Sequence, residues 1–428
     1  MNARKRFVMN YDQKKILVIN SSSIISQNAT GITMRSIYDN LRPENWFEIS
    51  CSPTSTDSQY KGKTIYSLPH KYYPIYNILN KKVIRAANTI SKENVKQASI
   101  NNKNKISANL RKIIISYADI LPLIPPKDLS KKVVKFNPDC IYTLGASVLT
   151  MKLALYFSKL LNIKIVMHFM DNWQDTLYNE TFFTKPCNII MKKTLKKVYK
   201  RMDSALTISE AMAHEYSQRW GKKHWPLMNI VSEIKEHPLI RDEDNKVILT
   251  YTGGLHLERW KSLLDISEAI KEINFNSNKE ILLHVYTSSD NRLTYEALFD
   301  KNIVKFFDYV EHEFINIVYA SSDILIHIES FNPNIVEFTK YSLSTKISEY
   351  MSSGKPIFLY APKSLAVSDY IENNSVGLTS GGKSELKEGL QKLISSNKLR
   401  FDLALNGLNC AKQRHSREAA LDVLNKVF

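Results

Sequence analysis

Cysteine is scarce in this chain of 428 residues: Cys51, Cys140, Cys187 and Cys410 are its four, widely scattered and with no CxxC pair. That pattern argues against a disulfide framework or a zinc site and fits a reducing cytosol. Glycine and proline are also few, 12 and 14, and 43% of residues are apolar, which excludes disordered and fibrous classes. No window reaches the roughly 18 to 20 unbroken apolar residues of a spanning helix. The start, MNARKRFVMNYDQKK, is basic but lacks the apolar run of a signal peptide. A soluble or peripheral protein is expected. No GxxxxGK[ST] occurs, so P-loop phosphate chemistry is excluded.

Positive charge is plentiful, and it is uneven. Residues 1–240 hold 37 Lys and Arg against 17 Asp and Glu, a net +20, while residues 241–428 hold 22 against 25, a net −3. One half is therefore expected to face an anionic surface. Basic and apolar residues interleave over 80–115 and again over 185–201, KPCNIIMKKTLKKVYKR. In the second stretch Ile189, Met191, Leu195, Val198 and Met202 lie at helical spacing beneath lysines, a basic amphipathic helix. A solvated face over an ordinary core stripe is the alternative for each stretch. With the domain-wide asymmetry, anionic lipid headgroups or a phosphorylated acceptor become the expected partners.

At this length two domains are the default. The run KKILVIN from Lys14 reads as a buried strand, followed by a polar loop and a helix from Thr30-Gly31. Further strands are expected at 140–143, 163–169 and 206–208, with helices at 147–161 and 209–220. A polar stretch, 232–246, reads as a linker. After it come strand 247–252, helix 262–273, strands 281–286 and 304–307, helix 313–319, strand 324–328 and strand 357–360. Such alternation means βαβ units and parallel sheets. The expected architecture is two doubly wound Rossmann-like α/β domains facing a cleft: 1–231, the 232–246 linker, 247–409, and a helix over 410–428 packing back on the first domain.

In doubly wound sheets ligands bind at the carboxyl ends of strands. Residues 344–358, STKISEYMSSGKPIF, read as a short helix closed by Gly354-Lys355-Pro356. Ser344 or Thr345 can cap it, and uncapped amides at its start form an anion site, with Lys346 adding charge and Glu349 one turn on. Such a cradle beside a carboxylate suits a nucleotide, diphosphate on amides and lysine, ribose on the acid. Gly253-Gly254 follows the strand ILTYT, with Arg259 able to fork onto a phosphate; turn chemistry alone is the other explanation. The loop from Asp308 to Glu311, including Tyr309 and Val310, suits a base-binding backbone segment or plain scaffold. In the first half, His168 and Asp171 (HFMDNW) stand near a strand end, where they could serve a sugar hydroxyl or belong to the core. Gly31 in NATGIT marks either a substrate-side loop or a helix start capped by Asn28 or Thr30. Asp242-Glu243-Asp244 spells DxD, but it precedes a strand and is set aside as a metal site.

With these residues in view, the whole chain resembles the GT-B glycosyltransferases, especially the family 4 group of bacterial enzymes that build cell-surface polysaccharides. STKISEYMSSGKPIF looks like that group's donor-site helix, TGGLHLERWKSLLDISEAI like its diphosphate loop, and FFDYVEHEFINIVYASSDILIHI like its base-binding loop. DSALTISEAM looks like the strand and loop near the end of the first domain, ATGITM and HFMDNW like acceptor-side loops. The resemblance implies that Gly253, Gly254, Arg259 and Lys346 bind diphosphate, with Ser344 and Thr345 at the helix start. It places Glu349 on the ribose, the main chain at Tyr309 and Val310 on the base, and His168 at the reacting sugar. The family often carries a second glutamate eight positions before the ribose glutamate; Tyr341 stands there in this chain.

The implied activity is metal-independent, retaining transfer from a nucleotide diphosphate sugar, as co-substrate and without a further cofactor, to a hydroxyl of a glycan or lipid-linked acceptor. Leaving-group charge would fall to Arg259, Lys346 and helix-start amides, with His168 and Asp171 beside the oxocarbenium-like centre. A cytoplasmic protein on the inner face of the membrane is expected. The competing readings are a nucleotide-sugar 2-epimerase of the same fold and a non-catalytic partner subunit. A nucleic-acid binder lacks any recognised motif here.

Overall fold

A computed structural model describes residues 11–26, 28–52, 57–69, 102–179, 181–241 and 245–428. The chain forms two compact units: Met1–Thr207, Ala213–Trp225 and Leu424–Phe428 in one, Ile208–Met212 and Pro226–Val423 in the other. The DxD triplet and much of the first basic stretch lie outside the described residues.

The first unit is built on β1 (Ile16–Asn20), β2 (Trp46–Ser50), β3 (Ser58–Tyr60), β4 (Lys63–Ser67), β5 (Cys140–Thr143), β6 (Lys164–Phe169), β7 (Ser204–Thr207) and β8 (Lys223–Pro226), in the order β3-β4-β2-β1-β5-β6-β7-β8. Strand β3 runs antiparallel to β4, and the pairs from β4 through β7 are parallel. The strand order reverses between β1 and β5, where the Leu144 amide donates to Asn20 Oδ1 at 2.9 Å.

The second unit holds β9 (Lys246–Thr252), β10 (Glu280–Thr287), β11 (Val304–Asp308), β12 (Ile324–Ile328), β13 (Ile357–Tyr360) and β14 (Gly377–Ser380), ordered β11-β10-β9-β12-β13-β14, every pair parallel. Such strands are buried on both faces, which is why ILTYT, ILLHV and ILIHI read as continuous apolar runs. Reversal falls between β9 and β12.

Residues 232–241 of the expected linker run along the second unit. The Lys235 amide donates to Ser352 O at 2.9 Å, the Leu239 amide to Gly354 O at 2.8 Å, and Arg241 forks onto Asp323.

The end of the chain corrects one expectation. Helix Asn397–Arg414 stops at His415 and a second helix, Arg417–Val427, follows, where a single helix over 410–428 is expected. The buried His415 ring is held between the Tyr370 hydroxyl (2.8 Å) and Asn229 O (2.9 Å), and Ser416 Oγ accepts the Ala419 amide to start the new helix. The last residues belong to the first unit. There the Phe428 ring centroid lies 5.5 Å from that of Tyr11, whose amide donates to Asn425 Oδ1 at 2.8 Å.

The second basic stretch is helical over Lys185–Tyr199, but Ile189 is exposed. Cys187, Met191, Leu195 and Val198 form the buried stripe, so one turn of helix rotates Ile189 out among Lys185, Lys192 and Lys193.

Candidate active site

In open parallel sheets the crevice at the reversal of strand order collects ligands, so the carboxyl ends of β9 and β12 define the place to look in the second unit. Beyond β9 the chain turns at Gly253 with φ +140°, a conformation that favours glycine. A Cβ here would sit 2.1 Å from Lys346 Nζ. Bare backbone at Gly253 therefore lets the ammonium of a distant helix lie directly against the turn.

Lys346 is the second residue of helix Thr345–Ser352, whose N-cap position is Ser344 with no side-chain cap hydrogen bond. Capping by Ser344 or Thr345 is thus not what the side chains do; the Ile347 amide donates to Ser344 O at 3.0 Å, and the amides of Thr345 and Lys346 are left for another acceptor. The ammonium lies 5.0 Å from the Tyr251 ring centroid, and among the described residues no carboxylate pairs with it. Burial, reinforced by the neighbouring Arg259 charge, lowers the Lys346 pKa to about 7, while Glu329 and Glu349 oppose the shift. A cation depressed in this way is stabilised by any anion that arrives beside it.

Arg259, first residue of helix Arg259–Phe275, forks onto Glu329, just beyond β12: Nη2 lies 2.9 and 2.8 Å from the two carboxylate oxygens and Nε 3.2 Å from one of them. His327 Nε2 lies 3.0 Å from Glu329 Oε1. Both Arg259 and Glu329 are nearly enclosed. Burial alone would raise the Glu329 pKa; the Arg259 guanidinium and the His327 hydrogen bond outweigh it and hold the pKa at about 2. Glu329 is not among the site residues expected from the sequence. Its signal was a carboxylate ending the apolar run ILIHI at a strand's carboxyl end.

Glu349 lies on the same helix one turn after Lys346. The Tyr319 hydroxyl donates to its Oε2 at 3.1 Å and His312 Nε2 stands 4.0 Å from Oε1. Burial pushes its pKa up, opposed by His312, Tyr319 and Lys346. Tyr309 is exposed and Val310 half-buried in the loop between β11 and the short 3-10 turn His312–Phe314. Gly254 lies beneath His256, whose Nδ1 would be 2.5 Å from an added Cβ. Gly253, Gly254, Arg259, Lys346 and Glu349 are therefore linked in one unit through β9, β12 and the 345–352 helix.

His168, Asp171 and Gly31 lie in the first unit. His168, on β6, is fully enclosed with Nδ1 2.9 Å from the Tyr142 hydroxyl, and an enclosed ring touches no ligand as it stands. Asp171 is half-buried in the loop that follows. Gly31 sits in the first turn of helix Ala29–Tyr38, where Asn28 is the cap: its Oδ1 accepts the Gly31 amide at 2.9 Å. The preceding loop is fastened from below. Glu48 on β2, wholly buried with its pKa raised by burial to about 7, accepts the Ile24 amide at 3.2 Å. Arg35 donates to Ile24 O and Ser26 O, each at 2.7 Å.

Two doubly wound sheets, one parallel from β4 through β7 with β3 antiparallel at its edge and the other parallel throughout, each with a reversal point, make this chain a protein of the GT-B fold, and the comparisons agree. Sucrose-phosphate synthase from Thermosynechococcus elongatus superimposes with a TM-score of 0.59 at 12% identity, covering 96% of this chain and 97% of that one. HepE from Anabaena, solved with UDP, gives 0.56 at 13%, with coverage of 96% and 97%. WaaG, described as a glycosyltransferase of lipopolysaccharide biosynthesis, gives 0.55 at 12%, with coverage of 96% and 99%. In sequence, 262 residues, 58% of the chain, are 24% identical to an uncharacterised glycosyltransferase of Methanocaldococcus jannaschii and span 64% of its length. No family model matches.

Proposed function

We propose that the protein is a glycosyltransferase that takes its sugar from a nucleoside diphosphate donor bound in the second unit. One observation carries this: an ammonium, Lys346, at an uncapped helix start, pressed against the bare turn at Gly253 beside the reversal point of the sheet. The donor diphosphate lies on the Gly253-Gly254 turn, the first amides of the 345–352 helix and Lys346, with Arg259 alongside. Glu349 accepts from the ribose hydroxyls, and main chain at Tyr309 and Val310 meets the base. Named relatives support the reading: one is a glycosyltransferase, and HepE was solved with UDP and with UDP-glucose.

As the glycosidic bond breaks, negative charge grows on the departing diphosphate, and preorganised cations and amides stabilise it. We assign that work to Lys346 and the helix start, so the transfer needs no metal. The acceptor hydroxyl belongs to a glycan or lipid-linked glycan of surface polysaccharide, the anomeric configuration is retained, and the catalytic candidates of the first unit are Asp171 and His168.

Nucleotide sugars screened by thermal shift in the presence of EDTA test this: one or more should raise the melting temperature, since ligands of the native state stabilise it. Glu349→Gln should weaken donor affinity by about 10- to 150-fold, the worth of a charged hydrogen bond at about 1.5–3 kcal/mol, and shrink that shift accordingly. Indifference of the protein to every nucleotide sugar refutes the reading. Donor converted without any acceptor would assign the epimerase activity instead.

We also propose contact with anionic lipid at the cytoplasmic face of the membrane. Among the described residues no helix is long and apolar enough to cross one. Exposed lysines at 185, 192, 193, 196, 197 and 200 supply the charge, while the helix's main apolar stripe is buried in its own unit. Binding to phosphatidylglycerol vesicles should fall as salt rises from 50 to about 500 mM, because surface charge is screened within about 10 Å at 0.1 M. Salt-independent binding would exclude an electrostatic attachment.

A further inference from the structure

Between β9 and helix Arg259–Phe275 the loop takes a conformation that its own sequence disfavours. Leu257 and Glu258 both have φ +57°, a left-handed backbone that non-glycine side chains adopt at a cost. Strain of this kind persists only where surrounding structure over-determines it. Here the bracing comes from the end of β12 and the residues after it. Glu329 holds the Arg259 guanidinium through two nitrogens, its carbonyl oxygen accepts the Ser262 hydroxyl at 2.7 Å, and Asn332 Nδ2 reaches Glu258 Oε2 at 3.4 Å. His327, with Nε2 on the same carboxylate, is fully enclosed and its Nδ1 has no hydrogen-bond partner among the described residues.

We propose that Glu329 is a positioning residue that locks Arg259 and the strained glycine loop in the orientation that receives the diphosphate. This rests on the donor-site reading above. Glu329 touches no substrate: it acts through Arg259 and, at longer range, through Lys346. The ionisable groups around Lys346 are Arg259 from its helix, His327 from β12 and Glu329 just beyond it, Glu349 from its own helix, with His312 beyond it, and His256 from the loop after β9. Arg259 favours loss of the Lys346 proton and Glu329 favours its retention. Neutralising Glu329 therefore leaves Arg259 unbalanced and makes the ammonium harder to keep.

The test uses the full chain, with UDP and inorganic pyrophosphate as probes, titrated between pH 6 and 9. Wild type should bind both and lose affinity as Lys346 deprotonates. Glu329→Gln should weaken UDP about tenfold and move that alkaline loss to lower pH, a change that simple loosening of the fold would not give. Glu329→Asp keeps the charge but shortens the reach, so it should weaken UDP while leaving the pH of the loss where it was. The Asp variant also decides the matter if Gln fails to fold. Wild type that binds neither probe overturns the donor site and the lock together. Wild type that binds, with Gln and Asp variants matching it in affinity and pH dependence, overturns the lock alone.

Discussion

Replacing Lys346 by alanine is expected to lower kcat/KM for donor by about 10²–10³, the usual consequence of deleting one preorganised donor to a developing oxyanion. The loss should appear in kcat as well as KM, because the diphosphate carries more charge as it leaves than it does in the bound substrate. The fold should survive, since the ammonium rests on a ring face and a glycine rather than in an ion pair. The pH dependence has a definite sign. Folding lowers the Lys346 pKa from 10.5 to about 7. The free protein is therefore penalised for keeping this charge, fully below about pH 7, and is relieved as pH rises from there towards 10.5. Donor binding runs the other way: an anion needs the ammonium, so affinity should decline as pH rises through 7. Lys346→Arg, charged throughout, should abolish that decline while retaining part of the turnover. A wild-type affinity flat from pH 6 to 9 would remove the assigned role.

Replacing Arg259 by alanine is expected to have the largest effect on stability. It strips the partner from Glu329, whose side chain is only 6% exposed. Breaking a buried pair from one side typically costs about 3–5 kcal/mol, because the surviving charge stays buried and uncompensated. Glu329 has its pKa depressed from 4.5 to about 2 by this partnership. Its stabilising contribution is therefore present above about pH 4.5 and is lost as pH falls towards 2. The Ala variant should melt well below wild type at pH 7, with the gap narrowing in acid. The double replacement Arg259→Met with Glu329→Leu should recover much of the loss in stability and none in activity, since an apolar pair of similar volume can replace a buried ion pair. An Ala variant as stable as wild type would mean that the pair holds nothing in place.

Much of the second unit was legible from its residues. Strands 324–328 and 357–360 fall where expected, and helix 345–352 lies inside the motif STKISEYMSSGKPIF. Both signals are local: continuous apolar runs for strands buried on two faces, and a helix closed by Gly354 at φ +71°. Some strands with polar residues in buried positions escaped notice. The clearest is β2, WFEIS, where Glu48 and Ser50 interrupt the apolar pattern yet are fully buried. Short strands such as β14, GLTS, carry too little pattern to register. The exposed side of helix 185–199 was misjudged by one residue in the stripe: Ile189 stands two positions before Met191, on the opposite side of the helix, whereas Cys187 stands four before it.

The amino-acid sequence by itself determined the alternation of strands and helices, the asymmetry of charge, and the places where glycine, lysine and glutamate had to fall near strand ends. These follow from periodicity and residue chemistry over a few turns of chain. Tertiary structure alone decided which of those groups meet. Gly253 and Lys346 are ninety-three positions apart and Arg259 and Glu329 seventy, yet each pair is in contact because β9 and β12 are neighbours at the reversal of the sheet. Strand order is a property of the whole sheet, so no local window could have paired them.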